Sequence, residues 1–196
     1  TLLHMMVYHP KAEEYRDALS RWKVVIGGAA LPKGLAKRAM ELGIKVTQGY
    51  GLSETCPVLT ISAFKPHLIG LSGEEKLDII TKTGFPAPLV KLRIVDDQMR
   101  DVPKDGKTMG EIVVRAPWTT MEYYKNPEKT AELWRGGWMH TGDVAVWDKD
   151  GYIMITGRAK FVIKSGGEWI PPLKLEDILS THPAVSEVAV IGVPSA

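Results

Sequence analysis

The chain has the length and composition of a globular protein. Its 196 residues, 44% of them hydrophobic, can bury a substantial core, which excludes a disordered chain. The 25 Lys and Arg residues nearly balance the 23 Asp and Glu residues, and no basic run exceeds two residues, so no nucleic-acid partner is expected. The single cysteine, Cys56, cannot form a disulfide within the chain, which favours the cytoplasm.

The two ends of the sequence predict an internal piece of a longer protein. The chain does not begin with methionine, and its first residues carry neither the charged flank nor the apolar run of a signal peptide or a membrane span. At the other end, an apolar, strand-like run leads directly to Ala196.

The first part of the chain has the pattern of an α/β unit. Apolar residues three or four positions apart predict a helix over residues 11–22, and short apolar runs predict strands over 23–26 and 44–47. Pro32 and a second apolar stripe predict a helix between the two strands, which ends at Gly43. The strands of such a βαβ unit are expected to be parallel.

Glycine-rich segments follow both of these strands, at residues 27–29 and 48–51. Because parallel strands end at the same edge of a sheet, the two segments are expected side by side, where open α/β sheets bind ligands. Residues 48–55 read Gln-Gly-Tyr-Gly-Leu-Ser-Glu-Thr. Glycines let a ligand approach the backbone, the ring offers a stacking face, and a carboxylate beside hydroxyls suits Mg²⁺ and phosphate. The alternative is a glycine-rich turn with Ser53 as a helix cap.

From about residue 85, short β patterns separated by turns predict a second, mostly β subdomain. The predicted strands cover residues 89–95, 110–115, 144–147 and 152–156, and residues 148–151 predict a hairpin turn between the last two. After residue 157 a mixed pattern returns, which predicts a new domain from about residue 158. Its predicted elements are strands over 161–163 and 185–193 and a helix over 173–181.

Two further segments carry residues suited to a nucleotide. Asp143, in a Thr-Gly-Asp tripeptide, could hold a pair of ribose hydroxyls, although most such tripeptides are turns. Residues 157–169 combine cations, a glycine pair and Trp169, and the cations could clamp phosphate or form a solvated surface turn. Cys56 has no histidine near it in the sequence and is expected to be a buried packing residue, and the histidines lack metal-ligand spacing.

Five segments, taken together and in this order, resemble the adenylate-forming superfamily, which includes acyl-CoA synthetases, peptide-synthetase adenylation domains and firefly luciferase. They are Gly28-Ala29-Ala30, Tyr50-Gly51-Leu52-Ser53-Glu54, Gly110-Glu111-Ile112, Thr141-Gly142-Asp143 and the stretch from Arg158 to Trp169. The resemblance implies a mixed α/β chain. Residues 1–85 would be the α/β part of the large N-terminal domain, residues 86–157 its β-rich subdomain, and residues 158–196 the start of the small C-terminal domain.

The same resemblance implies which residues form the site. The implied nucleotide-binding residues are Gly28, Ala29, Ala30, Gly49, Tyr50, Gly51, Ser53, Asp143, Arg158 and Trp169. Tyr50 would stack on the adenine, and Asp143 would hold the ribose hydroxyls with Arg158 alongside. The implied catalytic residues are Ser53, Glu54 and Lys164. Ser53 matches a phosphate-binding hydroxyl, Glu54 matches the carboxylate that binds Mg²⁺, and Lys164 belongs to the segment of the thioester-forming conformation.

The reaction that the resemblance implies is the activation of an acid by ATP. A carboxylate attacks the α-phosphate to give acyl-AMP and pyrophosphate, and the thiol of CoA then displaces AMP. The string from Lys164 to Ile170 resembles the fatty-acyl-CoA synthetase branch. The expected substrates are therefore a fatty or other small carboxylic acid, ATP and CoA, with Mg²⁺ as cofactor.

The sequence is compatible with several alternatives. The acyl group could pass to a carrier protein instead of CoA, the chain could be a non-catalytic nucleotide-binding module, and the full-length protein could be a homodimer. Gly157 stands where many relatives have an Asp before the Arg, so a hinge carboxylate has no counterpart here. The family's phosphate loop and its catalytic lysine are expected outside residues 1–196, so the chain alone is expected to be inactive.

Overall fold

A computed structural model of the protein divides into two units. The structure describes residues 2–165, 168–180, 184–185 and 188–193. One unit comprises Thr1–Val90 and Trp118–Thr120, and the other comprises Lys91–Pro117 and Met121–Ala196. Each unit combines helices with a four-stranded sheet, so the mixed α/β fold class expected from the sequence is confirmed.

The first unit contains the βαβ arrangement that the sequence predicts. Its elements are α1 (Leu2–Val7), α2 (Arg16–Leu19), β1 (Lys23–Ile26), α3 (Lys33–Glu41), β2 (Lys45–Gly51), β3 (Val58–Ile61), α4 (Gly73–Ile80) and β4 (Phe85–Pro86), with single 3₁₀ turns at Ser53–Thr55 and Pro66–Leu68. The strand order is β1-β2-β3-β4. β1 and β2 are parallel, with α3 as the crossover, and the other two pairs are antiparallel.

Small side chains on α3 bring this helix close to the sheet. Ala36 and Ala39 are fully buried, and Val46 of β2 is only 5% exposed. The helix ends where the sequence predicts, because Gly43 has a φ of 79° and its N–H donates to the Met40 carbonyl at 2.9 Å. The core therefore fixes the direction in which β1 and β2 reach the edge of the sheet.

Two elements of the first unit differ in length from the prediction. The helix predicted over residues 11–22 is limited to α2, because Leu19 alone of the apolar stripe is buried and a helix without a buried face is marginal. The strand predicted over 44–47 instead continues to Gly51. Its pairing with β3, with Tyr50 opposite Thr60, supplies the backbone hydrogen bonds for the added residues.

The second unit is an antiparallel meander followed by a hairpin and a helix. Its elements are β5 (Lys91–Val95), β6 (Gly110–Arg115), α5 (Pro127–Leu133), a 3₁₀ turn (Arg135–Gly137), β7 (Met139–Trp147), β8 (Ile153–Arg158), β9 (Ile163–Ser165), β10 (Glu168–Ile170) and α6 (Pro172–Ser180). The sheet order is β5-β6-β7-β8, and β9 pairs with β10. The predicted hairpin is confirmed, because the Asp148 carboxylate accepts the Tyr152 N–H at 3.0 Å and Gly151 occupies the left-handed region.

The end of the chain agrees with the prediction in part. The helix predicted over 173–181 forms as α6, and the strand predicted over 161–163 forms two residues later as β9. The described residues of the predicted strand 185–193 are not in a strand, since no ladder is formed with them in the described part of the chain. None of the helices in the described ranges has the length and apolarity that a membrane crossing requires.

Candidate nucleotide site

The two glycine-rich segments lie side by side, as the sequence predicts, although residues 48–51 form the second half of β2 and do not follow the strand. Ile26 at the end of β1 pairs with Gln48 of β2, so the chain beyond Ile26 runs beside the second half of β2. A Cβ added to Gly27 would lie 3.3 Å from the Gly49 carbonyl oxygen. The structure therefore brings the segment of Gly28, Ala29 and Ala30 to the same sheet edge as Gly49, Tyr50 and Gly51.

Gln48 connects these two segments although it is not among the predicted site residues. Its buried side chain accepts the Leu31 N–H through Oε1 at 3.4 Å, and its own backbone N–H donates to Ser62 Oγ at 2.8 Å. One side chain thus holds the end of the loop that contains residues 28–30. A polar residue in a run that otherwise reads as buried strand is the sequence signal for this role.

A tight turn carries Ser53 and Glu54 immediately after β2. Thr55, which is fully buried, staples it: Thr55 Oγ1 accepts the Leu52 N–H at 2.8 Å and donates toward the Pro57 carbonyl at 2.6 Å. Ser53 itself is exposed. The interpretation of Ser53 as the helix cap is therefore not what the structure shows, because Thr55 performs that task from the end of the turn.

The turn ends at Cys56, for which the prediction was wrong. Cys56 is exposed rather than buried, and its φ of 45° places it in the left-handed region. This conformation ends the 3₁₀ turn and directs the side chain out of the core. No histidine-paired nucleophile is formed there by the described residues, and the cysteine is a turn residue.

A distant segment of the chain supports the same turn. The N–H of Thr120 donates to the Glu54 carbonyl at 2.7 Å, and the indole N–H of Trp118 donates to the Val58 carbonyl at 3.2 Å. Residues 118–120 therefore belong to the first unit although they lie between strands of the second. Nothing in the local sequence of this segment predicts that role, because it depends on a tertiary contact.

The staple makes a prediction for stability. Thr55→Val keeps the shape of the side chain but leaves the Leu52 N–H and the Pro57 carbonyl without the hydroxyl, so we expect a loss of about 1–3 kcal/mol in the free energy of unfolding. Urea denaturation measures it. Ser53→Ala, at the exposed neighbour, is the matched control and should unfold like the parent protein; equal midpoints for both variants would contradict the staple.

Asp143 lies in a bulge of β7. Glu111 of β6 pairs with Val144, but Val113 pairs with His140, so β7 carries additional residues opposite Ile112. Thr141 Oγ1 satisfies the bulge by donating to the Ile112 carbonyl at 2.8 Å and accepting the Asp143 N–H at 3.1 Å. The tripeptide Thr-Gly-Asp is thus a local feature of a strand, with Asp143 fixed at its end.

The carboxylate of Asp143 is paired with Arg158, the other residue that the sequence assigns to this part of the site. The two are cross-strand partners on β7 and β8, and Arg158 Nε lies 2.8 Å from Asp143 Oδ1. The side chain of Asp143 is 6% exposed and that of Arg158 is 49% exposed. A carboxylate has about four lone-pair positions, so this contact uses part of its capacity to accept hydrogen bonds.

Lys164 and Trp169 are brought together by the hairpin of β9 and β10, where they are cross-strand partners. Their side chains, and Gly166 and Gly167 between the strands, lie outside the described residues. The proximity of the two backbones is the part of this prediction that the structure describes.

Glu54 is a candidate ligand for a metal ion. Within the described ranges, no three His, Cys, Asp or Glu side chains are arranged to hold a metal ion. Mg²⁺ commonly binds through one or two carboxylates together with substrate phosphates, and the half-buried Glu54 beside the exposed Ser53 hydroxyl matches that smaller donor set. The residues therefore fit a metal that arrives with a nucleotide.

Comparison with protein families decides the relationship of the chain. The family model described as "AMP-binding enzyme" matches residues 1–124. The chain belongs to this family. The family relationship predicted from the five segments is thus confirmed, and the match includes the sheet edge with Gly28 and Gly49 and the turn with Glu54.

Several relatives are similar to this AMP-binding chain over most of its length. A long-chain-fatty-acid–CoA ligase of Thermus thermophilus is 50% identical over 88% of the chain and 32% of its own length. The solved amide bond synthetase of Marinactinospora thermotolerans matches with a TM-score of 0.80 at 31% identity, over 98% of this chain and 37% of its own. An anthranilate–CoA ligase in complex with anthranoyl-AMP matches with a TM-score of 0.71 at 30% identity, over 92% and 35%. The chain therefore spans about a third of the length of these relatives.

Proposed function

We propose that this AMP-binding chain is part of a longer AMP-forming acid–thiol ligase whose substrate is a fatty acid. The observation that carries the proposal is the 50% identity to a long-chain-fatty-acid–CoA ligase over 88% of the chain. The reaction would join a carboxylate to AMP with release of pyrophosphate, and would then transfer the acyl group to the thiol of CoA with release of AMP.

The first unit would bind the adenine and the phosphates. The backbone of residues 28–30 and 49–51 would form the wall of the pocket, and the ring of Tyr50 would stack on the base. The exposed hydroxyl of Ser53 would donate to a phosphate oxygen, and Glu54 would hold Mg²⁺, which when bound neutralises charge on the phosphates. The hydrogen bond that Thr55 accepts from Leu52 and the one that Thr120 donates to Glu54 support this assignment, because they hold the turn in one conformation.

The second unit would bind the ribose and contribute to the thioester-forming step. Asp143 would accept hydrogen bonds from the two ribose hydroxyls, and Arg158 would keep its carboxylate oriented. Lys164 and Trp169 would act from the hairpin of β9 and β10. Residues 1–85 and 86–157 would then be the two parts of the large domain, with residues 158–196 as the start of the small domain.

The acceptor of the acyl group is the point at which a second candidate arises. The amide bond synthetase is as similar in structure as the CoA ligases, and by its name it forms an amide. An amine as acceptor is therefore the second candidate, and CoA is favoured by the names of the curated relatives. We also propose a cytoplasmic enzyme, because a single cysteine suits a reducing compartment.

An acid panel on the full-length enzyme that carries this segment tests the function. AMP release is followed for carboxylic acids of increasing chain length, with and without CoA, and the acyl-CoA product is measured directly. We expect release that requires both a fatty acid and CoA. Equal AMP release without CoA would contradict the thiol ligase, and release with an amine in place of CoA would favour the second candidate.

Asp143→Asn tests the ribose assignment. The amide keeps the size of the side chain but cannot accept at both oxygens, so we expect the KM for ATP to rise about tenfold or more, with a smaller change in kcat. The ATP dependence of AMP release measures both constants. Asp97→Asn, in an exposed turn of the same unit, should leave the KM unchanged. An unchanged KM for ATP in Asp143→Asn would contradict the ribose-binding role of Asp143.

A further inference from the structure

Glu111 of β6 is a half-buried carboxylate that the ligand roles above do not use. Its two oxygens have separate partners on β7: Oε1 accepts the Gly142 N–H at 3.1 Å, and Oε2 lies 2.8 Å from His140 Nδ1. The side chain of Glu111 is 20% exposed and that of His140 is 8% exposed. Both contacts are therefore shielded from water, where such interactions are strongest.

The contact to Gly142 supplies a hydrogen bond within the bulge of β7. Because β7 bulges opposite Ile112, the N–H groups of Gly142 and Asp143 lie where the register between β6 and β7 is interrupted. The Glu111 carboxylate accepts the first and Thr141 Oγ1 accepts the second. The left-handed conformation of Gly142, with a φ of 69°, is held by this contact and by the Ala159 N–H, which donates to the Gly142 carbonyl at 2.8 Å.

His140 anchors Glu111 in turn. Its second ring nitrogen, Nε2, lies 3.1 Å from the Arg135 carbonyl oxygen, so the imidazole bridges the 3₁₀ turn and the carboxylate. The guanidinium of Arg135 lies 3.9 Å from Glu111 Oε2. Glu111 Oε2 thus has His140 and Arg135 as partners, while Oε1 accepts the N–H of the bulge residue Gly142.

We propose that Glu111, anchored by His140, is a positioning residue that fixes Asp143 for the recognition of a ribose. It does not touch the nucleotide. It holds the backbone of Gly142, and Gly142 sets the direction in which the next residue presents its carboxylate. The proposal rests on the ribose role proposed for Asp143, and it adds that discrimination between ribonucleotides and deoxyribonucleotides depends on Glu111.

Discrimination between sugars is the readout that separates positioning from stability. In the full-length enzyme, kcat/KM is measured with ATP, 2′-deoxy-ATP and 3′-deoxy-ATP. We expect Glu111→Ala to lower kcat/KM about tenfold for ATP but only about threefold for each deoxynucleotide, since each of these retains one of the two hydroxyls that Asp143 would hold. A residue that merely stabilises the fold would lower all values by the same factor.

Conservative variants complete the experiment. Glu111→Gln retains an oxygen for the Gly142 N–H and should restore most of the discrimination. Glu111→Asp keeps the charge but is one methylene too short to reach Gly142, so it should behave like Glu111→Ala and serves in its place if that variant does not fold. Glu132→Gln, an exposed carboxylate on α5, is the control that should match the parent enzyme.

The outcomes distinguish this proposal from the one on which it rests. If Asp143→Asn removes the discrimination and Glu111→Ala and Glu111→Asp do so too, the positioning role is supported. If Asp143→Asn removes it but the Glu111 variants lower all nucleotides equally, the positioning role is overturned and the ribose role of Asp143 stands. If Asp143→Asn leaves the discrimination intact, both are overturned.

Discussion

Gly51→Ala is expected to destabilise the first unit strongly. The strand β2 passes so close to the chain after the Ser53–Thr55 turn that a Cβ on Gly51 would overlap the backbone carbonyl of Pro57. A backbone group cannot move aside as a flexible side chain can, so β2 or the turn must shift. We expect a loss of about 3 kcal/mol or more in the free energy of unfolding, the upper range for overpacked sites.

Gly34→Ala is the matched control for that substitution. Gly34 lies in α3 of the same unit, and a Cβ there would meet no atom within 4 Å. Alanine is favoured over glycine in a helix by about 1 kcal/mol, so this variant should be equal to the parent protein or slightly more stable. Urea denaturation of the two variants gives the comparison. If Gly51→Ala unfolds at the same urea concentration as Gly34→Ala, the close approach of β2 and Pro57 is wrong.

The positions of the strands could be predicted from the sequence because each has a strong local signal. Apolar runs between turns give β1, β6 and the hairpin of β7 and β8, and Pro32 with Gly43 brackets α3. The parallel pairing of β1 and β2 follows from the helix between them, and it places both glycine-rich segments at one edge. Much of the fold can therefore be predicted from short-range sequence patterns.

The supports of the candidate site could not be predicted in the same way. Thr120 holds the Glu54 carbonyl from far along the chain, and Glu111 holds Gly142 from the neighbouring strand. Neither contact has a sequence spacing that reveals it, because the first joins a turn to a distant segment and the second joins neighbouring strands. The helix predicted over 11–22 is wrong for a related reason: periodicity predicts a stripe but not a surface that covers it.

Glu54→Gln is expected to have the largest effect on catalysis of the changes considered. A neutral amide keeps the shape of the side chain but is a poor ligand for Mg²⁺, which prefers anionic oxygen. Losing one stabiliser of charge on the transferring group typically lowers kcat by about 100-fold or more. We expect that decrease in the full-length enzyme, together with a shift of the Mg²⁺ dependence of AMP release to higher concentrations.

The fold itself should not change in this variant, since the hydrogen bonds of the Glu54 carbonyl and of Thr55, which hold the backbone of the turn, are retained. Thermal unfolding should therefore match that of the parent enzyme. Glu74→Gln is the control for removing a charge from the same unit, because the Glu74 side chain on α4 is 80% exposed.

A slower enzyme with an unchanged Mg²⁺ dependence would show that Glu54 acts without the metal. An unchanged rate would exclude Glu54 from the reaction. A shift in Mg²⁺ dependence confined to Glu54→Gln would identify its carboxylate as the metal ligand, because the control removes the same charge from the same unit.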